Sequence, residues 1–199
     1  MNILNLGYNK NMKNITFQHG LRFLVSFGIV LVLRLIPWKM PNLEGVMATL
    51  MPVSKRYGGF AGFIYGALSI VLFDAITGRV GLWTLITALS YGAIGAWASY
   101  AFAKKRPTTG DFVKFSIVAT LSYDFVTGVL MGPALFGMSF TAAFIGQIPF
   151  TGYHLLGNIL LSALVAPALL KWFEMETVGV LGATRENRVN GTRGFGEVN

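Results

Sequence analysis

Residues 58–106 read GGFAGFIYGALSIVLFDAITGRVGLWTLITALSYGAIGAWASYAFAKKR. Two apolar runs, 58–74 and 82–103, are separated by a short polar turn and closed by Lys104, Lys105 and Arg106. A membrane-crossing helix needs about 20 mostly apolar residues at about 1.5 Å each. The stretch therefore reads as two antiparallel spans joined by a tight outer loop and stopped by a basic collar. The first run places Gly58, Gly62 and Gly66 four residues apart, and the second does the same with Ala88, Gly92 and Ala96. Small residues at this spacing share a helix face and let two backbones approach closely, either within the chain or against a partner helix.

Working outward, residues 21–36 form a span ended by Pro37, and 43–53 form a short one that covers only part of the hydrocarbon. Downstream, 112–131 is a fifth span. Residues 132–152 are a Gly- and Pro-bearing connection with a half-helix at 140–148, and 153–173 is the sixth span. The reading is an all-α polytopic membrane bundle of about six helices, the second short. It divides into a cytoplasmic segment at 1–19, a membrane domain at 20–173 and a polar, disordered cytoplasmic tail at 174–199. No A-x-A-like site closes the first apolar run, so no cleaved leader is expected.

Composition agrees. The 199 residues are 54% hydrophobic and 12% charged, with a mean hydropathy of +0.60; soluble domains carry roughly 25% charged residues. Of the 16 lysines and arginines, only Arg34, Lys39 and Arg79 fall opposite the N-terminus. That bias puts both termini in the cytoplasm and the chain in the cell membrane. It also accounts for the net charge of +8 without nucleic acid, because the charges form collars at helix ends rather than a stripe. Anionic membrane lipid is the expected electrostatic partner. With no cysteine and two histidines, thiolate and zinc sites are excluded. No metalloprotease, nucleophile-elbow, P-loop or dinucleotide motif is present, so neither an enzyme nor a cofactor is expected.

Polar residues within the apolar spans are costly and mark functional sites. They gather toward the outer half: Trp38, Asn42 and Glu44 around the start of the second span, Asp74, Arg79 and Trp83 around the outer loop, Asp124 in the fifth span, Gln147 in the connection, and His154 with Asn158 one turn apart in the sixth. Thr120 and Ser162 lie on the faces of Asp124 and Asn158. Together they suggest an outward-facing pocket, with aromatics such as Phe136, Phe140, Phe144, Phe150 and Tyr153 available to stack a flat ligand. Each has a plainer reading: an Asp74–Arg79 ion pair, a helix-start hydrogen bond for His154 and Asn158, a dipole contact for Glu44, and Arg34 reaching out to the headgroups.

The segment Arg34-Leu-Ile-Pro37-Trp-Lys-Met-Pro41-Asn42-Leu-Glu44 resembles the R-x-x-P…P-N segment of substrate-binding (S) components of energy-coupling factor (ECF) vitamin transporters and related transport proteins. Gly59-Phe-Ala-Gly62-Phe-Ile-Tyr-Gly66-Ala-Leu-Ser69, Gly81-Leu-Trp83-Thr84 and Pro149-Phe-Thr-Gly-Tyr-His154-Leu-Leu-Gly157-Asn158 are similar to later helices of that superfamily, over roughly residues 20–173. The resemblance implies capture of a vitamin-like small molecule from outside. It also implies partnership with a transmembrane coupling subunit and two ATPases, and a pocket at the ten polar and aromatic positions from Trp38 to Asn158 given above. One departure stands out. The family's A-x-x-x-A surface on the first helix is absent, and only Gly20, Ser26 and Gly28 are small there. A stand-alone carrier and a rod-shape-type membrane scaffold are the alternatives.

Overall fold

A computed structural model describes the backbone of residues 3–36 and 45–193, and the side chains of 17–36 and 45–175. Every element among them is helical: α1 (Ile3–Leu35), α2 (Val46–Tyr57), α3 (Gly59–Ile76), α4 (Leu82–Ala101), α5 (Thr109–Asp124), a π-helical segment (Phe125–Leu130), α6 (Met131–Phe136) and α7 (Phe140–Arg193). Four stretches are long and apolar enough to cross a membrane: Phe17–Leu35, Gly59–Ile76, Thr109–Phe136 and Phe140–Met175. Their exposed faces carry Leu24, Ile29, Val32, Phe60, Leu160 and Leu164, which suits lipid and not water. The chain is a helical membrane protein. Helix α4, at 20 residues, is longer than the two shorter spans, but Thr, Ser, Gly and Tyr dilute its hydropathy.

The short second span is a buried post. Its 12 residues reach only about 18 Å, and every residue from Val46 to Ser54 is buried. A helix apolar all round and this short belongs in a core, and α2 packs against α3, α4 and α7. Its hydroxyls are satisfied within the helix, Thr49 Oγ1 donating to Gly45 O at 2.8 Å and Ser54 Oγ to Leu50 O at 2.7 Å. Its last turn reaches one end of the bundle, where Lys55 Nζ donates to Phe102 O at 2.6 Å, Arg56 lies 2.9 Å from His19, and Tyr57 donates to His19 O. Arg22 joins them, bonded to Trp172 O at 2.8 Å.

Helices α3 and α4 form the antiparallel hairpin expected from residues 58–106, and the small residues serve it internally. A Cβ added to Gly66 would stand 2.5 Å from Tyr91 O, and one on Gly95 would overlap the Gly62 carbonyl. Gly59 faces the Ala96 backbone, Gly92 faces the Phe63 ring, and Ala88 is buried in the core. The faces of Gly62, Gly66 and Gly92 are thus filled from within the chain and are not open to a partner. Gly58 is different: its φ of +91° makes the turn between α2 and α3.

The fifth span is longer than its apolar run suggested, continuing without a break through the π segment into α6. Gly137, at φ +64°, ends it in the left-handed conformation common after a helix C-terminus. The expected irregular connection at 132–152 shrinks to residues 137–139. The half-helix and sixth span are one helix, α7, running through Pro149 and Pro167. Lipid offers no hydrogen bonds to free backbone groups, so helix persists wherever sterics allow. Of the tail beyond 175, only the helical backbone as far as Arg193 is described.

Candidate ligand site between α5 and α7

Helix α5 presents Ser116, Thr120 and Asp124 at four-residue spacing, and α7 presents His154, Asn158 and Ser162 at the same spacing. All six are buried. The helices run antiparallel, so the residues stand in register as rungs of a ladder. On the top rung Asp124 Oδ1 lies 2.8 Å from His154 Nδ1. On the second, Asn158 Nδ2 donates to Thr120 Oγ1 at 2.8 Å. Ser116 and Ser162 occupy the third register position, and Ser116 donates to Val113 O. The next pair in register, Phe112 and Ala166, is apolar and fully buried. The polar column therefore runs about 12 Å along the helices and ends blind.

The His154 ring is held edge-on by Tyr123, at 5.8 Å between centroids, and by Phe150, at 5.7 Å. Clamped in this way, it turns Nδ1 toward Asp124. With Asp124 ionised, Nδ1 must carry the hydrogen between them.

Three oxygen atoms in this column have no hydrogen-bond partner among the described residues: Asp124 Oδ2, Asn158 Oδ1 and Ser162 Oγ. An unpaired buried polar atom costs about 1–3 kcal/mol, and each level of the column carries one. Beside the top rung lies a cavity of about 350 Å³, lined by Asp124, Val129, Phe144, Gln147, Thr151 and Leu155 among others. Its walls are mostly apolar with a few polar groups, the usual make-up of a small-molecule site.

The backbone widens where the cavity forms. After Asp124 the chain takes the π-helical turn, and the Met131 N–H bonds Val126 O, five residues back. Such segments are rare and are often found at functional sites. Gly128 sits in this turn, and a Cβ there would overlap the Gln147 amide, so the glycine is what lets Gln147 lie against the π segment. Gln147 Nε2 is 3.4 Å from Thr151 Oγ1. Pro149, one turn beyond Ile145, has no N–H to offer that residue's carbonyl.

Of the residues singled out from sequence, Asp124 and Gln147 line the cavity, and His154 and Asn158 join Asp124 through the hydrogen-bonded column. Asp74, Arg79 and Trp83 do not line the cavity. Asp74 accepts a hydrogen bond from Thr84, whose Oγ1 also accepts the Gly81 N–H at 3.1 Å. The carboxylate therefore locks the α3–α4 corner. It makes no ion pair with Arg79, which is exposed. Arg34 lies over the Phe73 ring, 4.5 Å from its centroid. Trp38, Asn42 and Glu44 lie outside the described residues. Phe144, half exposed, lines the cavity, and Phe136, Phe140 and Tyr153 do not. Sequence reading missed Thr151 and Leu155, which follow Gln147 at helical spacing, and Tyr123, whose signal was adjacency to Asp124.

Compared with protein-family models, curated proteins and solved structures, the chain matches none.

Proposed function

We propose that this chain is the substrate-binding membrane component of an ECF-type uptake transporter, taking a vitamin-like small molecule into the α5–α7 site from the outer face. Asp124 Oδ2, unpaired on a residue that lines the cavity, carries this reading, with Asn158 Oδ1 and Ser162 Oγ unpaired further along the column. They call for a ligand with N–H donors or a cationic nitrogen at one end and an apolar or aromatic body at the other, and an anionic end would meet Asp124. The basic residues around His19 and Lys55 support, under the positive-inside rule, a reading with that end of the bundle and both termini in the cytoplasm. The polar column then opens toward the outside.

Coupling to a transmembrane subunit and ATPases needs an open helix face. The small-residue faces of α3 and α4 are occupied, which leaves α1. A Cβ at Gly20 or Gly28 meets nothing within 4 Å, and Leu21, Leu24 and Val32 beside them are exposed. A stand-alone carrier is the second reading. The buried Asp124–His154 acid–base pair favours it, because such pairs serve proton relays inside membranes.

Affinity purification from gently solubilised membranes separates the two. The ECF reading predicts co-elution of a coupling subunit and two ATPases, and uptake that depends on ATP. A chain that elutes alone and transports by itself in liposomes would replace that reading with the second. Within the site, Thr120→Val combined with Asn158→Leu removes both partners of one rung. Replacing both by apolar groups is close to neutral for stability, within about 1 kcal/mol. The double variant should fold and fail to retain ligand. Full retention would take the second rung out of the site.

A further inference from the structure

A second cavity, of about 280 Å³, lies between the end of α4 and the start of α5, at the basic end of the bundle. Its floor is aromatic. Trp97 and Phe115 stand 4.8 Å apart between ring centroids, and Phe102 stands 5.2 Å from Phe115. Lys105, in the turn after α4, and Lys114, on α5, line it. The acid among its lining residues, Asp111, is already engaged. It accepts from Lys105 Nζ at 3.1 Å and from both the N–H and the hydroxyl of Thr108 at 2.9 Å. Lys114 is exposed and has neither hydrogen bond nor ion pair among the described residues. Two ammonium groups against one carboxylate leave the cavity mouth positive. Trp97 and Val118 open the groove to the lipid side, being 39% and 52% exposed.

An apolar groove continuous with the lipid-facing surface and headed by unneutralised lysine fits an amphiphile with a negative head. We propose that this cavity is a specific site for one anionic phospholipid, its phosphate between Lys105 and Lys114 and an acyl chain along Trp97 and Val118. A free phosphate would leave the aromatic floor uncovered. A zwitterionic lipid would bring its own cation to a mouth that is already positive. Basic pockets between helices on the cytoplasmic side are known to take anionic headgroups. The lipid would tie the end of α4 to the start of α5 without touching the α5–α7 site, so this proposal stands apart from the transport reading.

The test is native mass spectrometry of the full chain in delipidating detergent, titrated with phosphatidylglycerol or phosphatidylcholine. The wild type should keep one phosphatidylglycerol in preference to phosphatidylcholine. Lys105→Gln with Lys114→Gln should lose that preference by roughly fivefold per lysine. The Lys105–Asp111 pair is exposed, so its loss is small for stability. Val118→Phe, at an exposed position, fills the groove without changing charge and should weaken retention of phosphatidylglycerol in a folded protein. Lys104→Gln with Lys171→Gln, outside the cavity, should change nothing. Equal binding of the two lipids by the wild type would overturn the proposal. So would an equal loss in the control pair, or full retention by Val118→Phe.

Discussion

Asp124→Asn is expected to abolish tight ligand retention while leaving the bundle folded. The asparagine Oδ1 can still accept from His154 Nδ1, which in the native protein lies 2.8 Å from Asp124 Oδ1. What disappears is the carboxylate charge and the free Oδ2 acceptor beside the cavity. Hydrogen bonds to a charged group contribute about 1.5–3 kcal/mol, so affinity should fall roughly ten- to a hundredfold. Loss of stability should stay near 1 kcal/mol, the ordinary worth of one hydrogen bond. Asp124→Ala separates binding from folding less cleanly. It strands the His154 N–H in a buried site at a further cost of about 1–3 kcal/mol. Ligand titration followed by thermal shift reads both quantities. An Asp124→Asn protein that binds as tightly as wild type would remove the carboxylate from the site.

Gly95→Leu should produce the largest loss of stability among single changes in the bundle. The first side-chain carbon would already overlap the Gly62 carbonyl, which is backbone and has nowhere to move. Overpacking a tight core costs about 1–3 kcal/mol and sometimes more. Here the helices α3 and α4 would have to separate along their whole contact, taking Gly66 and Tyr91 with them. The expected readout is loss of the monodisperse peak in size-exclusion chromatography. The matched control is Gly28→Ala. Its Cβ enters open space, and helix propensity favours alanine by up to about 1 kcal/mol. That should raise the melting midpoint by about 2–4 °C. A folded, unshifted Gly95→Leu protein would contradict the α3–α4 register.

The sequence announced the features that rest on composition. Runs of apolar residues between basic collars can only be membrane helices, and a carboxylate at Asp124 inside such a run has few explanations. His154 and Asn158, one turn apart, were legible for the same reason. Features that depend on which faces meet were not legible. Residues 46–53 are apolar apart from Thr49, which fits a short span and a buried post equally well, and only packing makes α2 the post. Four-residue spacing drew attention to Ala96, while antiparallel register with α3 sets Gly95 against Gly62. The partner of Asp74 could have been Arg79 five residues on, yet the helix turn at Gly81 brings the Thr84 hydroxyl closer. The π segment carries no compositional mark that distinguishes it from the helix on either side. It was invisible until Gly128 and Gln147 were seen to cross.

The central claim is that the α5–α7 column holds a small molecule. Native mass spectrometry of the detergent-purified chain tests it most directly, with wild type, Asp124→Asn and Trp83→Ala measured side by side. The account predicts a bound organic mass on the wild type, kept by Trp83→Ala, whose position lies off the cavity, and lost from Asp124→Asn. A mass retained by Asp124→Asn but lost from Trp83→Ala would contradict it and move the site to the α3–α4 corner.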